Sequence, residues 1–256
     1  MSSQNIFIDE LNIFRNEVDS ALKFLYTELA IHAIAIKSKQ TLSSLNSSPT
    51  FWNTILSALQ QSTFITLGRI FDVKSDHSIH VLRKFIEKNK NLFSKESFAY
   101  RWQKDADSNK IDSWLPKYLE GVYVPTDRDL RNFREFIAKQ QKIYEEIYRP
   151  VRNHFGHRKY IKNEDIKVIF DRIQVRGLEK FCVRLKNIHE VLWQLYHNGR
   201  GPLLPIKQPI YSTQSILKKK YNLHDLKPLN AHIVEEVKTV LELLNQGKFM
   251  KTKNGK

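Results

Sequence analysis

Leu11, Phe14, Val18, Leu22, Leu25, Leu29, His32 and Ile36 recur at spacings of three and four. Apolar residues at that period predict one amphipathic helix about 30 residues long. Ser47-Ser48-Pro49 then resets the chain, with Ser48 placed to cap and Pro49 at the first helical position. A second helix is expected through Trp52, Ile55, Leu59, Thr63, Thr66, Leu67 and Ile70, ending near Asp72. Ser78 opens a third, short one through Val81, Leu82, Phe85 and Ile86. From Asn91 to Pro125 the periodicity weakens, and Trp102, Trp114 and Tyr118 are expected to anchor short helical pieces and loops over the core.

Thr126-Asp127 starts the next strong helix, which runs through Phe133, Phe136, Ile137, Tyr144, Ile147, Val151 and Phe155. Pro150 lies inside it, lacks an N–H and clashes with the carbonyl four residues back, so a kink or local break is expected there. Asn163 caps a predicted helix that continues past Gly177 through Leu178, Phe181, Leu185, Ile188, Leu192 and Leu195 to Asn198-Gly199. The three prolines of residues 199–211 mark a connector. A short basic helix follows around Lys218-Lys219-Lys220, then a last one from Ile233 to Leu244, and the tail Lys248–Lys256 is expected to be disordered. The pattern predicts an all-α, up-and-down helical bundle over residues 1–200, with a kinked late helix, and a basic helical extension and tail over residues 201–256.

Composition agrees with that class. Only 8 Gly and 8 Pro punctuate 256 residues, too few for a many-turned β protein, and 41% hydrophobic with 27% charged residues is ordinary for a globular chain. No apolar run reaches the roughly 18 to 20 residues of a membrane span, and Asp9 and Glu10 stand where a signal peptide would be basic. Cys182 is the only cysteine, so no internal disulfide forms, and between Phe181 and Val183 it reads as a small core hydrophobe. A cytoplasmic protein without a membrane partner is expected.

Charge adds a partner class. Net charge is +15, but residues 1–60 hold four Lys/Arg against five Asp/Glu. Residues 149–186 hold eleven against four, and residues 200–256 repeat that count. A basic middle and tail beside a neutral start point to a polyanion.

No glycine-rich phosphate loop, nucleophile elbow or Cys-x-x-Cys is present. Asp72, Asp76, His77 and His80 have a metal-like look but fall where one helix ends and the next starts, so turn chemistry accounts for them. No carboxylate lies within six residues of His154 or His157. No metal or other cofactor is expected.

The segment Tyr148-Arg-Pro-Val-Arg-Asn-His-Phe-Gly-His-Arg-Lys-Tyr160 is different. With Val151 at the centre of the apolar stripe, Phe155, Ile147 and Tyr144 lie within about 40° of it. Arg149, Asn153, Gly156 and Tyr160 then form the opposite face, flanked by Arg152 and His157. Gly156 leaves room for a second helix or a phosphate backbone to approach. Arg-x4-His occurs three times, as Arg149/His154, Arg152/His157 and Arg184/His189, but only Arg152 is followed by a polar residue, Asn153. A solvated basic face, or an Arg152 that bonds a neighbouring helix, would give the same pattern without function.

Arg152-Asn153-x-x-x-His157 resembles the Arg-polar-x-x-x-His signature of the HEPN superfamily. Phe51-Trp52 and Phe64-Ile-Thr-Leu-Gly-Arg-Ile-Phe-Asp72 resemble the second helix of its type-U abortive-infection branch. The resemblance spans roughly residues 5–200. Many HEPN proteins are metal-independent ribonucleases of toxin–antitoxin, CRISPR and abortive-infection systems. The resemblance therefore implies an endoribonuclease with Arg152, Asn153 and His157 as catalytic residues. Arg149, His154, Arg158 and Lys159 would be RNA-binding. On a regular helix Arg152 and His157 stand about 140° apart. They converge if the helix unwinds near Gly156 or if a second subunit contributes, and the family implies the latter, a homodimer. An antitoxin or operon partner protein is a further expected contact. The alternative is a non-catalytic helical RNA-binding or adaptor subunit of a defence operon.

Overall fold

The computed structural model describes residues 2–105, 113–156, 163–204, 211–219 and 227–246. His157, Arg158, Lys159 and Tyr160, together with Lys220 and the tail Lys248–Lys256, lie outside the described residues. Among the described residues every regular element is helical. They are α1 (Ser3–Lys37), α2 (Lys39–Asn46), α3 (Pro49–Phe71), α4 (Ile79–Lys88), a 3-10 turn (Lys90–Phe93), α5 (Lys95–Asp105), α6 (Leu115–Glu120), α7 (Asp127–Ile143), a π-helical turn (Tyr144–Tyr148), α8 (Arg149–Gly156), α9 (Asn163–Asp171), α10 (Val175–Asn198), α11 (Thr213–Lys218) and α12 (Leu229–Asn245). The protein is an all-α bundle. No described helix is long and apolar enough to cross a membrane.

The chain divides into two compact units, each assembled from separate stretches. The first comprises Met1–Val18, Gly68–Glu146 and Arg184–Gln208. Phe7, Leu11, Phe14 and Val18 of α1 are buried there, as the stripe requires, and Phe7 meets Phe93 and Tyr196 at ring distances of 5.4 and 4.8 Å. The Trp102–Trp114 and Phe98–Tyr118 ring pairs hold the short pieces α5 and α6 together. The start of α7 is fixed by a capping box: Asp129 N donates to Thr126 Oγ1 at 3.2 Å and Thr126 N donates to Asp129 Oδ2 at 2.8 Å. α10 stops at Gly199, whose φ of +56° is a conformation that suits glycine after a helix.

The second unit comprises Asp19–Leu67, Ile147–Val183 and Pro209–Lys256. Leu241 of α12 packs with Ile31, Ala35 and Leu45, with Trp52, Leu56 and Leu59 around them. Glu179 of α10 accepts from Thr213 N at 2.6 Å and from the Thr213 hydroxyl, which ties the start of α11 to α10. Cys182 is buried, and burial pushes its thiol up to about 12, the behaviour of a core residue.

Three local outcomes differ from the periodicity. The first helix is not followed directly by α3, because Ser38 accepts from Thr41 N at 3.1 Å and caps the extra helix α2. The single helix expected from Asn163 to Asn198 is two helices, separated at Arg172–Gln174. The break places Ile173 and Val175 on the wall of the same cavity as Phe170 and Leu178. At Ser78 the backbone opens α4 as expected, but the hydroxyl is buried without a hydrogen-bond partner instead of capping.

Candidate functional site

Pro150 removes one helical N–H and its ring crowds the carbonyl of Glu146. The chain accommodates this by widening the preceding turn, Tyr144–Tyr148, to π geometry, so the predicted break is a bulge and helix resumes at Arg149. The consequence for α8 is a fixed facing. Val151 and Tyr148 are buried, Arg149 and Gly156 are exposed, and Arg152, Asn153, His154 and Phe155 are half-buried between them.

Arg152 Nη1 donates to Asn153 Oδ1 at 3.2 Å, so the two residues that open the motif behave as a pair. The neutral amide orients the guanidinium, which is charged throughout the physiological range. Around Gly156 nothing lies within 4 Å of where a Cβ would sit, so the open space expected on that face is present. His154 is placed differently from Arg149. Its ring meets Phe155 at 5.4 Å and Phe170 of α9 at 5.9 Å, an aromatic seat that leaves it part-covered. His157, Arg158 and Lys159 lie outside the described residues.

Beneath α8 the aromatic contacts continue. Phe155 meets Phe64 at 6.2 Å and Phe170 at 5.8 Å, and Tyr148 meets Phe64 and Phe181. Phe64 and Phe170 also line a cavity of about 170 Å³, with Glu28 of α1 on its wall. Burial pushes the Glu28 carboxyl up to about 7. Periodicity alone passes over this group. The signal was a carboxylate at Leu25 + 3, directly before Leu29, on an otherwise apolar stripe.

The other residues with a claim on chemistry are occupied. Arg184 donates to Gln140 Oε1 at 3.1 Å, and His189 is 2% exposed with Nδ1 3.3 Å from Glu190 Oε1. That contact holds the Glu190 carboxyl down at about 2. His77 Nδ1 is 2.8 Å from Glu10 Oε1, His80 Nε2 is 2.8 Å from Gln141 Oε1, and Asp72 Oδ1 accepts from Lys74 N at 2.9 Å. These residues bond away from one another, and no metal-binding group of three occurs among the described residues.

Comparison with curated proteins and with solved structures finds no match. A family model does match: HEPN_AbiU2, described as AbiU2, over residues 5–213, a span that includes parts of both units and all of α8. With most of its length matched, this all-helical chain belongs to the AbiU2 family of HEPN proteins, an abortive-infection branch.

Proposed function

We propose that the protein is a metal-independent endoribonuclease of the abortive-infection toxin type, acting through a composite site at a homodimer interface. The observation that carries this reading is α8 itself. In a chain of the AbiU2 family it displays a paired Arg152–Asn153, an exposed Arg149 and an open Gly156 on one basic surface.

In this mechanism Arg152 grips the scissile phosphate and stabilises charge on its equatorial oxygens as the transition state forms. Asn153 holds the guanidinium. His157 takes the proton of the ribose 2′-hydroxyl, or gives one to the leaving 5′-oxygen, roles an imidazole can fill near neutral pH. Arg149, His154, Arg158 and Lys159 extend the phosphate-binding surface. The Arg152 and His157 of two protomers meet across the dimer axis, which resolves their wide separation on one helix. The nucleophile is the substrate's own 2′-hydroxyl, so the products are a 2′,3′-cyclic phosphate and a 5′-hydroxyl, and DNA is not cut.

The test is cleavage of a defined RNA and its DNA counterpart in EDTA, with wild type and His157→Ala, followed by analysis of the ends. RNA cleavage that persists in EDTA, gives cyclic phosphate ends and vanishes in the variant is the expected result. Cleavage abolished by chelation, or 5′-phosphate ends, would overturn the mechanism, and full activity in His157→Ala would overturn the site.

A further inference from the structure

A cavity of about 430 Å³ opens in the first unit, away in sequence from the motif, between α1, α5 and the end of α10. Arg101, Trp102 and Lys104 of α5 line it together with Trp193, Tyr196 and His197 of α10, and no acidic residue is among its described lining. Its chemistry is aromatic and cationic.

Arg101 is the unusual member. Its guanidinium stacks over the Tyr196 ring at 4.1 Å and donates to the carbonyls of Leu92 and Tyr196, each at 2.8 Å. Two of its five donors are thereby used. Burial lowers its pKa from the ordinary arginine value, the mark of a part-desolvated cation. A cation in that setting is stabilised by an anion that reaches it. Lys104 adds a second cation on the exposed side of the same wall. Trp102 is pinned by its Nε1, which donates to His197 O at 3.3 Å, and Trp193 lies against the His197 ring at 4.7 Å. The two indoles are held in place before any ligand arrives.

We infer that this cavity binds a planar aromatic anion of mononucleotide size, its ring against Trp102 and Trp193 and its phosphate between Arg101 and Lys104. Flat rings stack on indoles irrespective of their hydrogen-bonding edges, and a phosphate matches the guanidinium geometry. The same chemistry is offered by a free nucleotide or by the 5′-phosphorylated end of an RNA strand. The site is independent of the motif on α8 and of its proposed cleavage.

Calorimetric titration of the full chain tests this, with AMP, adenosine, ribose 5-phosphate and a 5′-phosphorylated tri-adenylate as probes. AMP is expected to bind once per chain, and adenosine and ribose 5-phosphate at least about tenfold more weakly, since each lacks half of the recognised group. Lys104→Glu, at an exposed position, and Trp193→Leu are each expected to weaken AMP at least about tenfold, while Arg152→Ala leaves its affinity unchanged. AMP binding lost in Lys104→Glu supports a free-ligand site; binding confined to the tri-adenylate and lost in the same variant supports a strand-end site. The inference is overturned if neither phosphorylated probe binds at millimolar concentration, if Lys104→Glu and Trp193→Leu bind as tightly as wild type, or if Arg152→Ala is the variant that loses binding.

Discussion

Arg152…His157 and Arg184…His189 share one spacing in one chain, yet the two arginines stand in different surroundings. Arg184 reaches Gln140, and His189 is buried beside Glu190, its Nε2 without a hydrogen-bond partner among the described residues. Arg152 is half-buried on α8, oriented by Asn153 and flanked by an exposed Arg149 and an open Gly156. Both arginines are half-buried, and what differs is the partner: Asn153 on the same helix for Arg152, Gln140 of α7 for Arg184. The difference teaches that an Arg-x4-His spacing takes its surroundings from the helix that presents it, α8 for Arg152. Here the presentation is set by Pro150 and the π turn before it, with Val151 and Tyr148 as the buried anchors.

The largest expected effect separates the two histidines. His157→Ala should lower RNA cleavage by about 10²–10⁴-fold while RNA binding persists, the usual contribution of positioned acid–base catalysis. His189→Ala should do the reverse. Loss of a buried ring costs on the order of 2 kcal/mol and lowers the melting temperature by several degrees, with cleavage by the folded molecules untouched. Melting curves and single-turnover cleavage on both variants decide it; comparable losses of cleavage would erase the distinction.

A second test asks whether the motif helix rests on a hollow rather than on a filled core. Glu28 is raised from 4.5 to about 7 by burial, so its protonated form is the one the fold prefers. Its contribution is fully present below pH 4.5 and is lost as pH rises through about 7. Glu28→Gln should therefore match wild type near pH 4.5 and exceed it by about 3 kcal/mol at pH 8. Denaturant titrations at the two pH values measure this, and parallel curves would show that Glu28 is hydrated.

The smallest expected effect falls on association. A leucine at Gly156 meets no atom of its own protomer within 4 Å, so Gly156→Leu should leave folding intact. If the face of Arg149, Asn153 and Gly156 joins two copies, the added side chain should raise the dimer dissociation constant about tenfold and reduce cleavage in step. Sedimentation over a concentration series reads the first quantity. A variant as dimeric and as active as wild type would place the interface elsewhere.

The long helices were legible because their stripes repeat at the helical period and their starts are written locally, as in Thr126-Asp127 and Ser48-Pro49. The motif was legible for the same reason: Arg152, Asn153 and His157 lie within six residues of one chain segment. The break at Arg172–Gln174 was not, since Ile173 and Val175 suit a helix face as well as a cavity wall, and only Phe64 and Leu25 from distant helices settle which one they line. Nor was Pro150 sufficient to say whether the helix would break or bulge. The sequence by itself determined the all-helical class, the positions of the long helices and the basic character of residues 149–186, because period, capping and charge are local properties. Tertiary structure decided that Arg184 reaches Gln140, that Glu28 lies against an apolar cavity and that Arg101 stacks over Tyr196 beside a cavity lined by tryptophans. Those outcomes depend on desolvation and on packing between segments far apart in the chain, 95 residues apart in the Arg101–Tyr196 contact, and no local pattern encodes them.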